Sequence, residues 1–344
     1  MNVTTIGIDL AKSVFSIHGT NPHGKLVVRK RLSRSKLLVF IAQLPPCLIG
    51  MEACSGAHYW AREMTRLGHQ VRIIAPRFVV PYRKSSKNDP NDAEAICEAV
   101  GRPTMRFVPI KTADQQAVLC LHRIRRGLIK ERTAQINQIR GLLAEFGLIM
   151  PQGRYAARQR IPDVLEDAEN GLPMLARRLL DNVNQRIRQL DEEILAYDRE
   201  IEAMARDDDQ AKRLMAVPGI GPQTATAILA SAPDPTQFKS ARHFAAWLGL
   251  VSRQYSTGGK VRLGRITKRG DKYLRMLLIH GTRAGLAGLA EKNDPLSCWA
   301  RALVARRGYK RAAVALAAKN ARIVWALLMH QTDFRKPKTG SENN

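Results

Sequence analysis

Residues 3–31 read VTTIGIDLAKSVFSIHGTNPHGKLVVRKR. Three runs rich in β-branched and aromatic residues, at 3–9, 14–18 and 25–31, follow one another with only turns between them. The second turn carries Asn21, Pro22 and Gly24. The first strand therefore leads into another strand, where a dinucleotide-binding fold would place a Gly-rich turn and a helix. Neither G-x-G-x-x-G nor G-x-x-x-x-G-K-[ST] occurs anywhere in the chain.

Outward from this stretch, the pattern alternates. A short helix is expected at about 35–43, a strand at 47–52, a helix at 57–67, a strand at 70–75, helical material to Gly101 and a last strand at 105–110. Three hairpin-like strands followed by alternating helix and strand describe a mixed sheet flanked by helices, the α/β arrangement of a ribonuclease-H-like domain over residues 1–111.

Residues 112–207 change character and read as long helices. Ile187, Leu190, Ile194, Tyr197, Ile201 and Met204 recur at spacings of 3,4,3,4,3, a coiled-coil seam, and Ile136, Ile139, Leu143 and Phe146 keep 3,4,3 on an earlier helix. Pro151, Gly153, Pro162, Gly171 and Pro173 are expected to break the two apart into an antiparallel pair, either a plain helical hairpin or an oligomerising coil. Residues 208–334 form a mainly helical third domain. It opens with LMAVPGIGPQTATAILASAP, whose Pro-Gly turn between apolar helices suggests a helix-hairpin-helix, with backbone amides around Gly219 and Gly221 free to meet a DNA phosphate. A purely structural helical turn looks the same. Residues 335–344 are polar and expected to be a flexible tail.

Across 344 residues, 56 Lys and Arg face 30 Asp and Glu, a formal charge of +26. A field of that size calls for a polyanion, and its spread along the chain favours nucleic acid over a membrane surface. The start lacks a signal-peptide pattern and no apolar run approaches the ~18 residues of a membrane span, so a cytoplasmic, nucleoid-associated protein is expected. Five scattered cysteines without C-x-x-C and eight histidines without H-x₃₋₅-H argue against disulfides and zinc.

The acids are more telling. Asp9 ends a strand expected to be central, where a carboxylate is costly unless a metal or cation compensates it. Glu52 ends the apolar run LIGME in the same way, and KNDPNDAEAI sets Asp89 and Asp92 three apart at a helix start, on one face. Four carboxylates at one end of a sheet would suit two Mg²⁺ or Mn²⁺ ions and phosphodiester chemistry. Each has a plainer reading: Asp89 as a turn residue before Pro90, Asp92 as a helix N-cap, Glu52 as a strand-end charge. Glu94 and Glu98 are rival acids on the same helix.

GIDLAK (7–12), GMEACSG (50–56) and KNDPNDAEAI (87–96) together resemble the N-terminal domain of the DEDD-type transposases of bacterial insertion sequences, the insertion-sequence-110 family. VPGIGPQTA (217–225) and FKSARHFAAWLGLVSRQYSTGGKVRLGRITKRGDKYLR (238–275) resemble that family's second conserved domain, nearest its 1111 subgroup. The resemblance implies a RuvC-like catalytic domain with its acids at Asp9, Glu52, Asp89 and Asp92. It also implies a catalytic serine, which position in the S-[ST]-G-G-K motif assigns to Ser256. Ser252 and Thr257 are neighbours that could be confused with it, Tyr255 is a conceivable tyrosine nucleophile that the resemblance argues against, and locally Ser256 reads more often as a turn or phosphate-contact residue. The family further implies a structured guide non-coding RNA pairing with donor and target DNA, and a tetramer built as a dimer of dimers.

Arg253, Lys260, Arg262, Arg265, Lys268, Arg269, Lys272, Arg275 and Arg283 face one acid, Asp271, and such a segment is expected to lie along phosphates. A serine nucleophile would leave a phosphoserine link to DNA, keeping bond energy for rejoining. The expected function is thus an RNA-guided, metal-dependent recombinase. The alternatives are a RuvC-like nuclease that uses water, and a non-enzymatic DNA-binding protein.

Overall fold

A computed structural model of the protein describes residues 2–84, 86, 88–288 and 292–335. Positions 336–344, which hold most of the expected tail, lie outside the described residues. The chain forms two units, Met1–Asp114 and Gln115–Asn344.

The first unit is built on a six-stranded sheet: β1 (Thr5–Asp9), β2 (Val14–Thr20), β3 (Leu26–Ser33), β4 (Leu48–Glu52), β5 (Gln70–Ile74) and β6 (Phe107–Val108), in the order β3-β2-β1-β4-β5-β6. β1 pairs antiparallel with β2, and β2 with β3, while β4 runs parallel to both β1 and β5. This mixed sheet is consistent with the α/β, ribonuclease-H-like class. The last strand is shorter than expected, a two-residue edge antiparallel to β5.

β1 is central because nothing in it needs water until its end. Ile6 and Ile8 are fully buried with Phe15, Ile17 and Ile49, beneath α1 (Leu37–Ala42) and α2 (Ala57–Arg66). The opposite face is covered by α4 (Asp89–Val100), and a small α3 (Pro76–Val79) precedes it. Two glycines seat α4: a Cβ on Gly7 would stand 2.2 Å from the Ala93 carbonyl oxygen, and one on Gly50 would stand 2.7 Å from Val100 Cβ. Strand and helix meet backbone to backbone at Gly7, which no side chain would permit.

In the second unit, α5 (Ala113–Ala144) and α7 (Met174–Asp207) are the long helices. Arg125 pairs with Asp198 and Arg132 with Asp191, each at 2.6 Å, and Arg186 pairs with Glu131 at 3.1 Å. Rising numbers on one helix meet falling numbers on the other, so the two run antiparallel. Ile187, Leu190, Ile194 and Ile201 are buried along α7, whereas Tyr197 and Met204 are half-buried.

One expectation is corrected between them. Pro162 does not break the chain but sits inside a third helix, α6 (Arg154–Glu166). The proline removes a backbone donor, a cost offset here because Ala157, Ile161, Val164 and Leu165 bury one face against Ile136, Ile139 and Leu143 of α5.

The remaining elements are α8 (Asp209–Met215), α9 (Pro222–Ser231), α10 (Ala241–Trp247), a hairpin of β7 (Ser252–Thr257) and β8 (Lys260–Ile266), α11 (Lys272–Ala287), α12 (Pro295–Arg307) and α13 (Tyr309–His330). Their core joins Leu214, Ile228, Phe244, Leu248, Leu274, Leu278, Ala317, Ala321 and Val324, and it includes Ala205 from the end of α7. α13 is, among the described residues, the one helix long and apolar enough to cross a bilayer, which corrects the expectation that no segment would be. Half of its apolar window is buried, with Leu316, Ala317, Ala321 and Val324 inside the helical core.

Candidate functional site

The β1–β4 register sets Ile8 opposite Met51, so the next residues, Asp9 and Glu52, stand side by side at the carboxyl ends of two parallel strands. Side chains alternate along a strand. Gly7 and Gly50 face α4, and Asp9 and Glu52, two residues on, therefore face the same side. Both are half-buried. The Cys54 thiol sits close enough to report them: its pKa is raised by desolvation first, then by the charges of Asp9 and Glu52.

The direction of α4 brings the other two acids to this end. Cys97 Sγ donates to the Thr5 carbonyl, 3.7 Å away, while Ala93, one turn earlier, lies at Gly7. The helix thus runs opposite to β1, and its first turn, with Asp89 and Asp92, approaches the level of Asp9. The N-cap is Asn88, whose side chain accepts from the Asn91 amide at 2.9 Å, so neither aspartate is used as a cap.

Each of these aspartates is instead held by an arginine. Arg83 donates to Asp92 at 3.0 Å, and Arg31 lies 3.8 Å from Asp89. Arg31 pairs with Ser16, and Ser16 with Asp9, so one row across the sheet carries an arginine at one end and Asp9 at the other. The rival acids have separate partners: Glu94 binds Lys84 at 2.8 Å, which lowers its pKa, and Glu98 pairs with Arg102. Among the described residues, no group of three or more His, Cys, Asp and Glu side chains is arranged to hold a metal ion. The structure brings Asp9 and Glu52 together and leaves Asp89 and Asp92 on guanidinium groups.

Ser256 lies in the other unit, on β7, a strand exposed along its whole length. The hairpin turns through Gly258 and Gly259, with φ of +54° and +75°, the doubly left-handed geometry of a two-residue turn. Gln254 donates its amide to Ser256 Oγ at 2.8 Å, the hydroxyl's one side-chain hydrogen bond among the described residues. Val261 stands opposite Ser256 and Leu263 opposite Gln254, so the serine shares its face with exposed apolar side chains. Tyr255 opposes Arg262 and Thr257 opposes Lys260 on the reverse face. Arg253 alternates to that reverse side as well, so these basic groups and the serine point apart.

Beyond the hairpin, Arg265, Lys268 and Arg269 are carried by the end of β8 and the loop to α11, where Lys268 has a φ of +55°. Arg275 differs from its basic neighbours. It is 8% exposed, and its Nη1 donates to the carbonyls of Leu248 at 3.0 Å and Gly270 at 3.3 Å. The expectation that the whole run from 253 to 283 follows phosphates is corrected at this residue, which fastens a loop. Asp271, the lone acid, caps α11 by accepting from the Tyr273 and Leu274 amides.

Gly219 and Gly221 occupy the turn between α8 and α9. Gly219 has a φ of +86°, and a Cβ there would stand 3.0 Å from the Gly281 carbonyl oxygen of α11, so its glycine answers a packing need. Asn320 of α13 donates to the Pro218 carbonyl at 2.7 Å and pins the same turn. Gly221 caps α9 with open space where a side chain would be.

Comparison with known proteins gives concordant results. Residues 6–147 match a family model described as "Transposase", and residues 211–291 match one described as "Transposase IS116/IS110/IS902 family". The chain is 52% identical over 336 residues to a "Probable family 20 transposase" of Pseudomonas aeruginosa, covering 97% of this chain and 99% of the relative. It is 46% identical to the "Transposase for insertion sequence element IS1328" of Yersinia enterocolitica, over 97% of this chain and 99% of that one. It is 43% identical to the "Transposase for insertion sequence element IS1111A" of Coxiella burnetii, over 97% and 92% respectively.

Proposed function

The chain belongs to the IS116/IS110/IS902 transposase family, enzymes that cut and rejoin DNA, and we propose that it does so by serine attack at a site served by the Asp9, Glu52, Asp89 and Asp92 carboxylates. The observation that carries this reading is the position of Asp9 and Glu52 one residue beyond the Ile8–Met51 pair, at adjacent parallel strand ends, with the first turn of α4 directed to the same end.

These donors are oxygen only, which suits Mg²⁺ or Mn²⁺. When bound, such a cation would stabilise negative charge on attacking and leaving phosphate-ester oxygens. Asp9 and Glu52 supply the fixed part of the donor set. Asp92 and Asp89 join only when Arg83 and Arg31 give them up.

Ser256 Oγ would form a bond to phosphorus as the bond from phosphorus to the sugar oxygen breaks. The hydroxyl loses its proton and the departing sugar oxygen gains one. Gln254, an amide donor, takes no proton; its N–H engages one lone pair of Oγ and fixes the oxygen's position, and the other lone pair is left for the attack. The phosphoserine keeps the ester's energy, and a strand hydroxyl can reverse the attack without ATP.

In the same reading, Arg253, Lys260, Arg262, Arg265, Lys268 and Arg269 hold sugar-phosphate backbone, and the α8–α9 turn acts as a helix-hairpin-helix whose Gly221 backbone meets a phosphate. A structured guide RNA pairs with donor and target DNA, and four copies assemble as a dimer of dimers, with the α5–α7 seam as a coiled coil. The charge of +26 supports a nucleic-acid load of that size.

The test is to trap the intermediate on a nicked element-end duplex with Mg²⁺ and the RNA that co-purifies. A covalent protein–DNA adduct should form, and it should vanish in Ser256→Ala and in Asp9→Ala. Strand cleavage that persists in Ser256→Ala would replace the serine with water and leave a RuvC-like nuclease.

A further inference from the structure

Between α5, α6 and α7 lies a cavity of about 200 Å³ that the chemistry above does not use. Its walls are apolar: Ile136, Ile161, Ile187 and Ile194 are all buried. Asn184, Arg132, Asp191 and Asp198 interrupt them. Asn184 is 5% exposed and its side chain makes no hydrogen bond among the described residues. Arg132 is 6% exposed; its Nη1 donates to Asp191 at 2.6 Å, while its Nε is buried without a partner. At the cavity wall, an amide without a protein partner stands beside a guanidinium whose Nε–H is buried and unpaired, a polar spot in an otherwise apolar lining.

The mouth is basic and aromatic. Arg154, Tyr155, Arg158 and Arg188 line it from exposed positions, and Tyr155 is 71% exposed. The Arg154 guanidinium lies 4.6 Å from the Tyr155 ring centroid, which leaves the ring's other face open to a flat partner. The two carboxylates on the walls are already compensated. Asp198 takes two hydrogen bonds from Arg125, at 2.6 and 3.1 Å, and Asp191 takes Arg132 with Arg158 at 3.9 Å. Arg154 and Arg188 have no carboxylate partner among the described residues.

We propose that this cavity takes one unpaired nucleotide of a single strand. Its flat apolar faces suit the isoleucine walls, and its edge, with donors and acceptors side by side, suits the Asn184 amide, which both donates and accepts. Its phosphates lie on Arg154, Arg158 and Arg188, and an adjoining base stacks on Tyr155. A paired base could not enter, so the site distinguishes strands by their unpaired state. RNA and displaced DNA both offer that chemistry.

The test uses the full chain and three labelled probes of one mixed sequence: single-stranded RNA, single-stranded DNA and duplex DNA, titrated at near-physiological salt. Asn184→Leu keeps the volume and removes the amide, and Tyr155→Ala removes an exposed ring, so at least the second variant should fold. Each should weaken single-strand binding about tenfold while duplex binding stays unchanged. A loss on RNA alone, on DNA alone or on both single strands supports the proposal and names its source. Equal loss on the duplex, or no loss with any probe in a folded variant, overturns it. The covalent adduct at Ser256 on a pre-nicked duplex is a separate readout, so the failure of one reading leaves the other standing.

Discussion

Arg83 Nη1 lies 3.0 Å from Asp92 Oδ1, with both side chains more than three-quarters buried. A cation therefore already occupies one oxygen of a proposed metal ligand. Removing it by Arg83→Gln should lower the Mg²⁺ concentration needed for half-maximal strand cleavage about fivefold, the equivalent of ~1 kcal/mol for a partly exposed ion pair. A rise in that midpoint on Mg²⁺ titration would show that Arg83 positions Asp92 and does not compete for it.

Gly7 is the point at which β1 and α4 touch. In Gly7→Ala the new methyl would meet the Ala93 carbonyl at 2.2 Å and the Cys97 amide nitrogen at 2.3 Å, both backbone atoms that cannot turn away. The variant should lose about 3 kcal/mol or more of stability and, because α4 carries Asp89 and Asp92, its cleavage activity as well. A melting temperature equal to the parent's would contradict the seating of α4.

Arg262 and Arg275 are both basic residues of the same segment, but they should behave differently. Arg262→Ala, on the exposed hairpin, should leave stability unchanged, weaken DNA binding across sequences and reduce the salt dependence by about one ion. Arg275→Ala strips two carbonyls of a buried donor and should destabilise by about 3 kcal/mol. Denaturant melts and salt titrations of the two variants separate these outcomes.

His122 ties three helices of the second unit. Thr226 gives its hydroxyl proton to the Pro222 carbonyl at 2.8 Å, so it receives the Nε2–H of His122 at 3.0 Å, and Nδ1 accepts from the Tyr273 hydroxyl at 3.0 Å. Burial first, and Arg125 second, push the histidine down to about 4. The folded state thus resists a proton that the unfolded chain takes up near 6.5. Stability is complete above pH 6.5 and is lost as pH falls toward 4, by about 2 kcal/mol at pH 5. Urea melts at pH 7 and pH 5 should show that difference, and His122→Gln should shrink it. A parent protein equally stable at both values would rule out the neutral histidine.

Much of the fold was legible in local patterns. The alternation in residues 3–31 showed strand following strand, and the apolar runs IGID and LIGME, each ending in an acid, marked the central strands and the residues at their ends. The spacing of Ile187, Leu190, Ile194 and Ile201 marked the buried line of α7. Pro162 misled because a proline's cost is local, whereas the burial of Ile161 and Leu165 that offsets it depends on α5, distant in sequence. The seven-residue step from Arg125 to Arg132, matched by Asp191 and Asp198, was an available signal for the α5–α7 pairing.

For this protein, sequence by itself determined which residues are acidic at strand ends, which helical faces are apolar, and the family to which the chain belongs. Those are properties of neighbours in the chain, where period and composition suffice. Only tertiary structure decided that Asp9 stands beside Glu52, that Asp92 and Asp89 rest on Arg83 and Arg31, that Arg275 is buried while Arg262 is exposed, and that Ser256 faces away from the basic side chains around it. Strand register, helix direction and ion-pair choice are settled by contacts between residues tens of positions apart, and periodicity reports which face is buried without naming what buries it.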